Sequence, residues 1–313
     1  MSSGHDHGPA AHGTLTQRAA LASVGTAVLL LLLKAYAAWT TGSVAMLGSL
    51  ADTGLDLVAS SVTLFGVRVA AQPADAAHRF GHGKAEAIAA LFQVIVIAMS
   101  ALAIGAQAVS RLLAGHVTAN PEYGVGVSIV AILVTFGLLA YQRHVIAQTG
   151  SVAIGADHVH YQSDLLLNGA VIVALLLDQW LGLGWIDPVF GVAIALWLFH
   201  GAWRASTRAI DQLMDKEWPA EKRARFLAIA AHHPELIGIH DLRTRTSGAQ
   251  DFVQFHVWVD PAMTMAEAHR VMDEVEAKLM AEFPGTEIII HPDPEGQYDR
   301  QGEEDEALRE TPE

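Results

Sequence analysis

The chain has 313 residues, no cysteine and a net charge of −14. Leaving Tyr out of the hydrophobic count and adding the 27 Gly makes roughly 59% of it apolar, above the usual range of about 45–50%. This argues against an ordinary soluble enzyme, leaves no basic face for nucleic acid, and removes disulfide and thiolate chemistry, so any metal must be held by His, Asp or Glu.

Charge is unevenly spread. Residues 1–214 contain 9 Lys+Arg and 11 Asp+Glu, whereas residues 215–313 contain 10 and 22, so two kinds of chain meet near Met214. Four segments are expected. Residues 1–14 form a disordered leader with His5, His7 and His12, and residues 15–210 form a membrane domain. Residues 211–294 form a cytoplasmic α+β domain, and residues 295–313, with 8 acidic and 2 basic residues, form a disordered tail.

A helix needs about 20 mostly apolar residues to span a bilayer. Six stretches qualify: Gln17–Thr40, Val44–Ala70, Ala85–Leu113, Tyr123–Ala147, Val152–Leu181 and Ile186–Ala205. With both termini cytoplasmic, Arg18, Arg68, Arg79, Lys84, Arg143, Arg204 and Arg208 lie on the inner side, and only Arg111 lies outside, as the positive-inside rule requires. Lys34 lies within the first span and is expected to snorkel or to meet a helix carbonyl.

The second span carries Asp52 and Asp56 four residues apart, on one helix face. Two carboxylates buried there repel each other and require a cation, a proton or a basic partner. The fifth span repeats the spacing with His160 and Asp164, and the two pairs together would supply four N/O ligands to a tetrahedral divalent ion. Ser163 reads as a helix-packing hydroxyl, and Asp157 and His158 read as solvated residues nearer the membrane surface. Between the second and third spans, Asp75, His78 and His82 are spaced by three and four, as a surface metal site or as a simple hydrated loop.

Past Met214 the pattern predicts a helix at Ala220–His232, strands at Gly238–Arg245 and Phe252–Val259, a helix at Thr264–Glu282 and a strand at Glu287–His291. Helix, strand, strand, helix, strand is a half-open ferredoxin-like arrangement. The second strand alternates, with Val253, Phe255, Val257 and Val259 on the core face and His256 on the other. His240, His256, His269, His291 and Asp293 make this module a candidate metal binder.

These motifs together (TGSVAMLGSLADTGLDL, QPADAAHRFGHGKAEA, HYQSDLLLNGA, HDLRTRTSG and IIIHPDP) resemble the cation diffusion facilitators, most closely their bacterial zinc or ferrous-iron efflux branch, from about Leu15 to Asp293. The resemblance implies an α-helical polytopic membrane protein with six transmembrane helices, followed by a cytoplasmic α+β ferredoxin-like, metallochaperone-like domain. It implies a transport site at Asp52, Asp56, His160 and Asp164, and a loop site at Asp75, His78 and His82. It also implies a two-ion cytoplasmic site at His240, His256, His269, His291 and Asp293 that helps join a homodimer, and a dimer charge pair of Lys84 with Asp215.

The function expected is secondary-active export of a divalent cation in exchange for protons, by alternating access in the bacterial inner membrane. Zn2+ is the expected substrate and resident ion, with Cd2+ or Fe2+ as further substrates, because one imidazole among three carboxylates favours zinc over manganese. His160, with an ordinary pKa of about 6.5, is the natural group to trade metal for a proton. An intramembrane metalloenzyme would need an open metal position and a general base, and the chain has no HExxH. A membrane-bound sensor that binds without transporting is the alternative reading, although only the acidic tail remains as an output module.

Overall fold

The computed structural model describes residues 9–41, 44–114, 125–181, 186–231 and 236–296. They divide into two compact units, Ala10–Asp211 and the chain from Gln212 onward. His5 and His7 of the leader, His116, and the acidic tail beyond Gly296 lie outside the described residues.

The first unit holds six long helices: α1 (Pro9–Thr41), α2 (Val44–Ala70), α3 (Ala85–Ala114), α4 (Val125–Thr149), α5 (Val152–Leu181) and α6 (Ile186–Leu213). Pro9–Thr14, expected to belong to a disordered leader at residues 1–14, are part of α1. Proline suits a first helical turn, where its missing N–H would have no partner anyway, and Ala10 and Ala11 are strong helix formers. The sixth helix runs eight residues past its expected end at Ala205, since length beyond the bilayer needs only helix propensity and not hydrophobicity.

Among the described residues, His12–Thr40, Ser49–Ala70, Ala85–Leu113, Ile129–Thr149 and Pro188–Leu213 are long and apolar enough to cross a bilayer. α5 is equally long at 30 residues but carries Asp157, His158, His160 and Asp164. Polar side chains in a membrane helix face the bundle, and α5 accordingly packs against α2, α3 and α4. It also meets α6 through Val159 and Leu167, which join Ile97 and Leu198 in one cluster.

Small residues let these helices approach closely, as expected where packing rather than water exclusion drives association. Ala19 and Ala20 of α1, Ala89 of α3 and Ala153 of α5 share a buried cluster with Leu64, Val67, Val145 and Ile154. At Gly66 of α2, a Cβ would collide with the Ala89 methyl and stand 3.1 Å from the Ala85 carbonyl oxygen, so glycine sets the α2–α3 separation.

In the second unit, α7 (Ala220–Ala230), β1 (Gly238–Ser247), β2 (Gln250–Val259), α8 (Met265–Glu282) and β3 (Thr286–Pro294) form a three-stranded sheet in the order β1-β2-β3. β1 and β2 are antiparallel, whereas β2 and β3, separated by the α8 crossover, are parallel. Val253, Phe255, Val257 and Val259 are buried with Phe226 of α7 and with Val271, Val275 and Leu279 of α8. Thr264 caps α8 in a reciprocal box, its hydroxyl accepting from the Glu267 amide while Glu267 accepts from the Thr264 amide.

Candidate metal sites

Within the helical unit, Asp56 of α2 meets His160 and Asp164 of α5. His160 Nε2 lies 3.0 Å from Asp56 Oδ1 and 4.0 Å from Asp164 Oδ2, and all three residues can offer ligand atoms within 4.8 Å of one another. His160 is 3% exposed, and its Nδ1 is buried without a hydrogen-bond partner. The Ser163 hydroxyl donates to the His160 carbonyl of its own helix at 2.5 Å. Asp52 stands outside this trio and is exposed on the single chain. One helical turn separates it from Asp56 by about 5–6 Å along the axis, and in the absence of a cation the two carboxylates repel.

The expectation that Asp157 is solvated is overturned. Its side chain is completely buried, and it accepts from Gln93 Nε2 of α3 at 2.7 Å, Gln142 Nε2 of α4 at 2.8 Å and the Ser60 hydroxyl of α2 at 3.4 Å. Gln142 also donates to Ser23 of α1, and the Tyr161 hydroxyl donates to the Ser23 carbonyl at 3.0 Å. His158, half-buried, lies 3.2 Å from Gln142 Oε1. Five helices are thus tied together beside the His160 trio. Only the Asp157 spacing, three residues before His160 and hence on a neighbouring face of α5, hinted at this in the sequence.

Lys34 reaches α2, where its ammonium donates to the Thr53 hydroxyl at 2.6 Å and approaches the Ser49 carbonyl at 3.5 Å. This is the helix-carbonyl contact expected of it, with a hydroxyl added.

In the loop after α2, Asp75 lies 3.4 Å from His78 Nδ1 and 3.5 Å from His82 Nε2, with the two rings 4.4 Å apart. Asp75 Oδ1 accepts from the backbone amides of Ala77 and His78, and Gly81, at φ +78°, turns the chain back toward α3. The His78 amide above all holds the Asp75 carboxyl below its usual range. His82 Nδ1 is buried and unpartnered, so an imidazole donor is available.

The sheet builds the third cluster. Register places His240, His256 and His291 side by side across β1, β2 and β3. Asp293, two residues along β3, projects on the same side as His291. Its Oδ2 lies 3.1 Å from His240 Nε2 and 2.8 Å from His256 Nδ1, and its Oδ1 lies 3.2 Å from His291 Nε2. Burial pushes the His240 imidazole below its usual range, against the pull of Asp293, and favours the neutral form that binds metal. Its Nδ1 is buried without a hydrogen-bond partner.

The bulge after His240 puts Asp241 at φ +48° and brings its carboxylate 3.7 Å from His256 Nε2, a neighbour that strand alternation did not predict. His269, on α8, is 76% exposed and faces Asp273 rather than this cluster. Lys84 and Asp215 fall in different units, and Asp215 lies 3.6 Å from Arg245.

Two family models cover the chain: the cation efflux transmembrane domain over residues 20–214 and the cation efflux protein cytoplasmic domain over residues 218–295. The cation-efflux pump FieF of Cronobacter sakazakii is 41% identical over 283 residues, covering 90% of this chain and 94% of its own. FieF of Escherichia coli O127:H6 is 41% identical over 291 residues, covering 93% and 97%. Among solved structures, a chain from work on the mode of action of CzrB is 37% identical, covering 25% of this chain and 99% of its own with a TM-score of 0.25. The metal-bound C-terminal domain of the CzcD transporter from Thermotoga maritima is 19% identical, covering 26% and 100% with a TM-score of 0.25.

Proposed function

The chain belongs to the cation efflux family, and from that premise we propose that it exports zinc from the bacterial cytoplasm across the inner membrane. Protons move in exchange, and a homodimer alternates access to its two sides. Cadmium and ferrous iron are further substrates of the same site. The observation that carries this reading is the meeting of Asp56, His160 and Asp164 on two helices inside the bundle, within reach of one ion.

The cargo ion draws Asp52 toward that trio and completes a tetrahedral shell of three carboxylates and one imidazole. Ligand groups must lose protons to bind metal and regain them when it leaves, so metal and proton compete for the same atoms. The imidazole of His160 gives preference for zinc over a harder ion such as manganese. Asp75, His78 and His82 form a loop site on the cytoplasmic side, both termini being cytoplasmic.

His240, His256, His291 and Asp293 would hold resident zinc, with His269 contributing at the homodimer interface. These residues would let a bound ion supply positive charge that offsets repulsion between acidic domains, and so bias dimer contact.

Zinc movement in sealed proteoliposomes under an imposed pH gradient tests this reading. Flux that follows the gradient and vanishes in Asp56→Ala supports it. Tight zinc binding without flux would instead favour a membrane-bound sensor.

A further inference from the structure

Lys34 is the only charged residue between Arg18 and Asp52. A charge placed within a membrane helix is costly, so one that persists calls for a partner or a task. The Lys34 stem leaves α1, and its ammonium is anchored on α2 by the Thr53 hydroxyl at 2.6 Å and the Ser49 carbonyl at 3.5 Å. Thr53 is itself 1% exposed, so the anchor is inside the bundle. It follows Asp52 directly and precedes Asp56 by three residues, so the ammonium is anchored on α2 within one helical turn of both carboxylates.

We propose that Lys34 is a fixed countercharge for the transport site. The proposal rests on the transport reading above. Three ionised carboxylates and one neutral imidazole around a doubly charged ion leave one negative charge uncompensated, and a single ammonium supplies its complement. The loaded site is thereby neutral, the state cheapest to carry through a low-dielectric bundle. In the empty site the same ammonium offsets part of the carboxylate repulsion. It also repels an incoming cation, which keeps affinity low enough for release. Anchoring to a hydroxyl and a carbonyl, rather than to a carboxylate, leaves all three carboxylates for the cargo.

The test compares the native full chain with Lys34→Gln, Lys34→Arg and Lys34→Met. Zinc affinity is measured by calorimetry in detergent, and zinc flux in proteoliposomes. Lys34→Gln can still donate to Thr53 but has lost its charge, and it should bind zinc about ten-fold more tightly while transporting at least about ten-fold more slowly. Lys34→Arg, which keeps the charge, should stay near native in both. Lys34→Met is the second neutral variant, used if Lys34→Gln does not elute as a single folded species.

A role confined to helix packing would instead weaken binding and transport together. Unchanged or weakened zinc binding in the neutral variants, native-like flux in them, or an Arg variant that behaves like them would each overturn the countercharge. Absence of flux in the native chain would sink the transport reading, and the binding comparison would still report on Lys34.

Discussion

His160 Nε2 and Asp56 Oδ1 approach to 3.0 Å across the α2–α5 contact, although 104 positions separate them in the chain. Each is matched on its own helix by a carboxylate four residues away, Asp52 before Asp56 and Asp164 after His160. The pair therefore joins the two local motifs, bringing Asp56, His160 and Asp164 together while Asp52 stays outside the trio. Replacing His160 by Asp should make the shell all-carboxylate and raise manganese flux relative to zinc by roughly an order of magnitude. Competition flux in proteoliposomes reads this directly, and an unchanged zinc preference would move the selectivity away from the imidazole.

Asp157 accepts from donors on α2, α3 and α4. Asp157→Leu should strand the Gln93 amide, and leave Gln142 with Ser23 alone as acceptor, in a buried site, at about 1–3 kcal/mol for each N–H left unpaired. Asp157→Asn keeps one oxygen acceptor and should lose less. Thermal melts of the full chain in detergent would rank native above Asn above Leu.

Gly66 is required by the close approach of α3 rather than by backbone conformation. Gly66→Val should drive side-chain atoms into Ala89 and the Ala85 carbonyl and destabilise the helical unit by about 1–3 kcal/mol. Gly54, beside which a Cβ would meet nothing within 4 Å, is the control, and Gly54→Ala should be nearly neutral in the same melt.

Asp293 touches three imidazoles, so it is the group whose loss should most disable the cytoplasmic cluster. Free zinc at a hundred times its Kd stabilises a folded protein by about 2.7 kcal/mol. That zinc-dependent rise in melting temperature should be present in the native chain and strongly reduced in Asp293→Ala. Flux tested at saturating zinc should survive, because Asp52, Asp56, His160 and Asp164, the proposed transport ligands, are untouched.

At the start of α8, Thr264→Ala should cost about 1 kcal/mol by removing a cap. Hydrogen bonds from Thr264 hold the Glu267 carboxyl below its ordinary value of 4.5. A depressed carboxylate contributes stability above its unfolded-state pKa and loses it as pH falls through the lower folded value. The cost of Thr264→Ala should therefore be full at pH 7 and shrink below about 4.5. A cost independent of pH would separate the cap from Glu267.

Much of the membrane unit was legible because hydrophobic length is a local property. The expected second and fifth spans coincide with α2 and α5, and the expected third ends one residue short of Ala114. The helix–strand order past Met214 could be read from periods of 3.6 and 2, and the alternation of β2 correctly put Val253, Phe255, Val257 and Val259 in the core. The start of α1 was missed because a His-bearing polar stretch can be helical without being apolar.

Sequence alone determined which candidate ligands share a helix or strand face, because a four-residue spacing on a helix and a two-residue spacing on a strand are set by local geometry. Tertiary structure decided which of those faces meet. It paired Asp56 with His160, placed His240, His256 and His291 abreast in register, and left His269 pointing elsewhere. It also turned Asp157 from an apparent surface residue into the centre of a buried network, because whether a polar side chain is solvated or enclosed depends on the donors that other helices bring to it.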